Sequence, residues 1–245
     1  MNYSAWKKYF ESNRVHFEDI DWATEDKLLP EEKRIIISSL QQFQEGENSE
    51  GKHLYSFAKS FPDPEYLECI KLFIREEQKH AKVLGRFMDI HGIPRKKGHW
   101  VDKVFRKLRV MAGLDNTITI LLTAEIISKV YYRALHHATS SQLLKKICDQ
   151  ILRDEDRHIE FQCITLHSFY RRKSFVGKFL SRFAHFILMI GTIGVVWMYH
   201  SNVLKKGGYS LVVFIDTTLK VFFDSLELIK SGSVENVGQP IPATS

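Results

Sequence analysis

Residues 72–88 read LFIREEQKHAKVLGRFM and residues 151–162 read ILRDEDRHIEFQ. Each carries a Glu-x-x-His motif inside an apolar run: Glu77 and His80 in the first, Glu155 and His158 in the second. Around the first motif the run is Ile70, Phe73, Ile74, then Ala81, Leu84, Phe87 and Met88, the spacing of one buried helical face. Around the second it is Leu144, Ile147 and Ile151, then Gln162 and Leu166. Three residues apart on a helix, a carboxylate and an imidazole lie on the same side and reach one ion.

Working outward, a glutamate lies 30 residues before each motif (77 − 47; 155 − 125). Glu47 follows the stripe Ile36, Leu40, Phe43 and precedes Leu54 and Phe57. Glu125 follows Ile118, Leu121, Leu122 and precedes Tyr132. The two triplets are offset by 78 at every member (125 − 47; 155 − 77; 158 − 80). Four helices therefore aim carboxylates at one core. A lone buried carboxylate costs several kcal/mol, and four together also repel, so cations must sit between them. Oxygen and nitrogen donors without thiolate suit iron or manganese, with zinc also compatible. The expected site gives each of two ions one histidine and one terminal glutamate, while two glutamates bridge. Glu50 shares the face of Glu47; the matched spacing favours Glu47, and Glu50 is the competing or additional ligand.

The punctuation of the chain agrees with four long helices. Pro30 followed by two acids starts a helix expected over 30–60, and Pro62 and Pro64 end it. A second is expected over 65–91, before Gly92 and Pro94. A third, over 117–138, has Asp115 and Asn116 as candidate caps, and a fourth spans 141–170. Residues 92–114 form a basic connector with room for a short helix. The expected organisation is an N-terminal extension (1–30), a four-helix bundle (31–170), a C-terminal helical extension (171–230) and a disordered tail (231–245).

The segments GENSEGKHLYSFAKS (46–60), LFIREEQKHAKVLGRFM and ILRDEDRHIEFQ resemble the ligand helices of the ferritin-like di-iron carboxylate superfamily. The first two are closest to rubrerythrins and the last to the oxygenases. The resemblance covers about residues 31–170 and implies an all-α, ferritin-like four-helix bundle with one long crossover, here with additional C-terminal helices. It implies two iron ions, with manganese or a mixed pair also compatible. It also implies that the acid preceding each motif glutamate, Glu76 and Asp154, hydrogen-bonds the histidine of the opposite motif. Tyr132, seven residues after Glu125, is expected to face inward, either packed in the core with its hydroxyl satisfied or as a redox or hydrogen-bonding neighbour of the metals. The expected activity is that of an oxidase or oxygenase, using dioxygen or peroxide and an external electron donor on a small organic, lipid-like substrate. The alternatives are iron oxidation and storage, peroxide reduction, and a metal-stabilised binding protein without catalysis.

Composition narrows the surroundings. The net charge of +6 is modest and spread out, and we expect no nucleic-acid partner. Three cysteines without CxxC spacing suit no disulfide framework, and the N-terminus has no signal-peptide pattern, so a cytoplasmic location is expected. A homodimer is compatible with the resemblance. The apolar run from Phe183 to Tyr199 is short for a membrane span. We expect it to be a buried or interfacial helix packed on the bundle; the rival reading is a peripheral membrane contact through 175–200, with basic residues on anionic lipid.

Overall fold

The computed structural model describes residues 2–23, 26–48, 51–96 and 113–233, and every regular element among them is helical. Helix α1 (Tyr3–Ser12) buries Tyr3, Trp6 and Phe10, and continues into a 3-10 turn at Asn13–Val15. Helix α2 (Pro30–Glu47) starts on its proline with Glu31 and Glu32 in the first turn, where acids complement the helix dipole.

The helix expected over 30–60 is two helices. After α2 ends at Glu47 the chain turns, Gly51 takes φ 61°, and α3 (Lys52–Ala58) begins. Gly46, Asn48 and Gly51 are weak helix formers. Gly51 is also needed for space, because a Cβ there would strike the side chain of Ile74.

Helix α4 (Pro64–Ile90) is capped by Asp63, whose side chain accepts from the Glu65 amide at 2.9 Å. Helix α5 (Leu114–Ala138) starts earlier than expected, with Gly113 as its cap; Asp115 lies in the first turn and pairs with Lys173 at 2.9 Å rather than capping. Helix α6 (Gln142–Tyr170) is capped by Ser141, whose Oγ accepts from the Leu144 amide. The connector expected to hold a short helix falls mostly on residues 97–112, and the expected disordered tail on 234–245; both lie outside the described residues, as does Glu50.

Helix α5 packs along α6, α4 lies against α2 and α6, and α1 covers α4. Two apolar clusters fill this assembly. One is built around Trp6, Phe10, Phe73 and Phe161, the other around Leu40, Leu84, Phe87 and Ile147. Along α4 the first cluster ends at Phe73 and the second begins at Val83; along antiparallel α6 the second ends at Ile151 and the first resumes at Ile159. Between them both helices place their polar motifs, so the carboxylates and imidazoles form one layer held between two apolar ones.

Two further helices, α7 (Phe175–Lys206) and α8 (Leu211–Ser231), lie outside this layer, α7 on α5 and α2, α8 on α6 and α5. The apolar run expected at 183–199 sits within the much longer α7. That helix is long and apolar enough to cross a membrane, and only 28% of its most apolar window is buried. It packs on its neighbours, as expected, but through one face only.

Candidate metal centre

The two motif helices and the two single-glutamate helices bring six residues together. Glu47, Glu77, His80 and Glu155 form one group and Glu77, Glu125, Glu155 and His158 a second; within each group the donor atoms all lie within 4.8 Å of one another. The groups overlap at Glu77 and Glu155. Glu47 is the last residue of α2, Glu125 sits mid-way along α5, and the motifs project from α4 and α6.

The imidazoles present matching faces. Nδ1 of His80 lies 3.6 Å from Glu77, and Nδ1 of His158 lies 3.1 Å from Glu77, 3.8 Å from Glu125 and 3.9 Å from Glu155. Their Nε2 atoms point away from this centre: His80 Nε2 donates to Asp154 at 2.9 Å and His158 Nε2 to Glu76 at 3.0 Å. A carboxylate only accepts, so it fixes the proton on Nε2 and leaves Nδ1 as the free donor atom. Each acid thus serves the histidine of the opposite motif, the geometry expected for Glu76 and Asp154.

The terminal glutamates are anchored differently. Tyr132 donates its hydroxyl to Glu47 at 2.7 Å, and Gln162 donates its amide to Glu125 at 2.9 Å. Tyr132 is therefore in direct contact with a candidate ligand.

The residues fit an ion. His80 Nδ1, His158 Nδ1, Glu77 Oε1 and both oxygens of Glu155 are buried without a hydrogen-bond partner. Such orphans are rare and costly in a protein core, and here they are the atoms that face one another. Electrostatics point the same way. Burial, reinforced by Glu77, pushes the carboxyl of Glu47 well above its usual range. Burial and the neighbouring Glu125 do the same to Glu155, and to a lesser degree to Glu77. Burial also acts on Glu125, but the combined influence of His158, Glu155 and Gln162 outweighs it and lowers that carboxyl. Without cations the cluster must take up protons to stay neutral; with cations it need not.

The residues behind the centre were not among the expected site residues. Asn13 and His16, from the expected N-terminal extension, reach both orienting acids. The Asn13 amide donates to Asp154 at 2.8 Å and also to Glu76. His16 Nδ1 lies 3.1 Å from Asp154 and 3.3 Å from Glu76, and Gln150 adds a further bond to Asp154 at 2.8 Å. Burial alone would raise the Asp154 carboxyl, but the bonds from His16 and His80 overcome it and hold the group strongly ionised. His16, Glu76 and Asp154 lie close enough to hold an ion of their own. Their oxygens are already engaged by the ligand histidines and Asn13, so the trio reads as a brace. One signal for Asn13 was present: it continues the α1 stripe Tyr3, Trp6, Phe10 at helical spacing.

No protein-family model, curated protein or solved structure matches this chain. The candidate site therefore stands on its own chemistry: a buried carboxylate and histidine cluster with the donor atoms to hold a metal ion.

Proposed function

We propose that this chain is a ferritin-like di-iron carboxylate protein that activates dioxygen or peroxide and oxidises an organic substrate. The observation that carries the reading is the overlap of two four-residue ligand groups at Glu77 and Glu155, which suits two ions sharing bridging carboxylates. His80 and Glu47 would complete one ion's set, His158 and Glu125 the other's. The four contributing helices, α2, α4, α5 and α6, support the ferritin-like reading of the bundle. When bound, a pair of irons supplies redox chemistry toward dioxygen or peroxide that no protein side chain provides.

The chain's own residues prepare that chemistry. Phe73 stands 4.7 Å from the His158 ring and Phe17 5.8 Å from the His80 ring, and these walls keep water from the imidazoles. Tyr132 and Gln162 each occupy one lone-pair direction of a terminal glutamate and fix its rotamer. The braced acids hold both Nδ1 atoms toward the centre. The three cysteines are all free and buried and none has CxxC spacing, so we assign the electrons to a separate donor. The aromatic rings beside the imidazoles, Phe73 and Phe17, favour an organic substrate over a hydrated ion as the molecule that is oxidised.

The test is anaerobic loading with ferrous iron followed by air. The reading expects about two irons per chain, dioxygen uptake, and the absorption of bridged ferric ions. Continued uptake of iron into a mineral would assign storage instead. Iron binding without any reaction with dioxygen or peroxide would leave a structural role.

A further inference from the structure

Helix α7 is inside out. A helix on the surface of a water-soluble protein buries its apolar stripe and exposes its polar one. In α7 the buried face holds His185, Thr192 and His200 among its apolar residues, and His185 is only 1% exposed. The opposite face carries Phe175, Phe179, Phe183, Ile187, Ile190 and Met198, with Phe175 85% and Met198 68% exposed. These positions recur at helical spacing and make a ridge about 35 Å long. Single exposed apolar residues are ordinary, but a continuous ridge of this length marks an interaction surface.

The charges around the ridge identify its partner. No acidic residue occurs anywhere in α7. Arg171 and Arg172 precede it and are exposed, and Lys205 and Lys206 end it and are exposed. Basic residues at both ends of a bare apolar face complement an anionic lipid surface, with the apolar ridge entering the acyl boundary. Among the described residues after α7, the acids lie on α8, where Asp216, Asp224 and Glu227 face solvent.

The helix lies along the protein instead of projecting from it. His185 meets Thr123 of α5 at 3.1 Å, His200 meets Ser39 of α2 at 2.8 Å, and a Cβ at Gly207 would strike the Ala134 carbonyl. It is tied down over most of its length to α5, whose Arg133 is exposed. A helix so attached would carry charged neighbours into hydrocarbon if it crossed a bilayer, so it lies in the plane of the interface. We propose that the outer face of α7 docks this protein peripherally on an anionic membrane surface. The proposal is independent of the metal reading, because none of these residues touches the centre.

Vesicle flotation of the full-length, metal-loaded protein tests it. The wild type is expected to float with vesicles of phosphatidylcholine and phosphatidylserine, and far less with phosphatidylcholine alone. The double variant F179E/F183E is expected to stay in the dense fraction, whereas I90E, altering an exposed apolar residue on α4, floats like the wild type. Reversing Lys205 and Lys206 to glutamate leaves the ridge intact and is expected to lower binding to the anionic vesicles by on the order of tenfold or more. That variant decides the matter if the phenylalanine pair fails to fold. A wild type that ignores both vesicle types overturns the proposal. So does a concentration-dependent dimer that F179E/F183E dissociates while vesicle binding is absent, which would assign the ridge to a second copy of the chain.

Discussion

The two halves of the centre are alike in ligands and unlike in everything that supports them. Glu47, Glu77 and His80 are matched by Glu125, Glu155 and His158 at a constant offset, and even the orienting acids, Glu76 and Asp154, obey it (154 − 76). The partners break it. Tyr132 holds Glu47, but the position matching it in the other half is Leu54; Gln162 holds Glu125, and its match is Leu84. Glu47 ends a helix next to a glycine turn, whereas Glu125 lies inside an unbroken one. The protonation tendencies split in the same way, with Glu47 pushed up and Glu125 held down by His158. Duplicated ligands thus need not make equivalent ion seats, and the neighbours are expected to set the order in which ions bind.

Removing what the halves share should have the largest effect. Glu155→Ala and Glu77→Ala each delete a residue common to both ligand groups, and both are expected to reduce metal content from about two ions per chain to near zero. The metal-free variants are expected to lose less stability than Leu84→Ala, a core truncation of the kind that costs about 2–5 kcal/mol, because they also relieve carboxylate repulsion. Elemental analysis and denaturant unfolding measure the two effects. Unchanged metal content in both variants would remove the centre altogether.

Separating the halves comes next. Glu47→Ala and Glu125→Ala are each expected to leave about one ion. The Glu125 half is better organised before binding, so metal titration of the wild type should show two steps, and Glu125→Ala should remove the tighter one. Identical affinities for the two steps would mean that the neighbouring residues do not matter.

Acidity gives a third test, performed on metal-free protein. Glu47, Glu77 and Glu155 have folded-state values raised above the usual 4.5. Above about pH 4.5 the folded chain therefore holds protons that the unfolded chain has released, and stability must fall as pH rises. Above about pH 6.5 His158, raised by its carboxylate neighbours, adds a loss in the same direction. Between those two points Glu47→Gln should flatten the slope by removing one of the groups that holds a proton there. Bound metal replaces the protons, so the loaded protein should lack this dependence. Unfolding free energy that rises over the window in metal-free protein would contradict the whole scheme.

Much of this was legible in the chain itself, and the reasons differ by region. The motif helices were readable because burial forces a period on apolar residues and any carboxylate inside that period stands out. The break after Glu47 was visible only as weak helix formers in GENSEG, since propensity bends easily to packing. Helix α1 showed an apolar stripe, yet nothing local could say which helix it covers. Asn13 and His16 act across 63 and 60 residues of sequence to Glu76 (76 − 13; 76 − 16) and about 140 to Asp154, and single-chain periodicity has no means of registering such a contact. The polarity of α7 was hidden for a related reason: a helix apolar on both sides does not declare which side is covered.

His16 spans the two halves and so tests them together. It braces both acids that aim the ligand imidazoles, and changes to such supporting residues typically cost about 10- to 100-fold in metal affinity. His16→Ala is expected to weaken both titration steps to a similar degree without removing either ion. If only one step moved, the brace would belong to one half, and the link between Asp154 and Glu76 would be without consequence.

The smallest effect should come from Tyr132, and it should be confined to one half. Tyr132→Phe keeps the ring packed against Phe43 and Tyr131 and removes only the hydroxyl that donates to Glu47. One hydrogen bond to a charged group contributes about 1.5–3 kcal/mol, part of which the bound ion itself replaces by holding Glu47 in place. The weaker titration step should therefore loosen by about tenfold or less, with the tighter step, carried by Glu125 and Gln162, unchanged. The wild-type value should not return in Tyr132→Leu, which restores neither ring nor hydroxyl. Movement of the tighter step instead would show that the tyrosine acts through the shared glutamates, and the two seats would then be coupled more strongly than their separate partners imply.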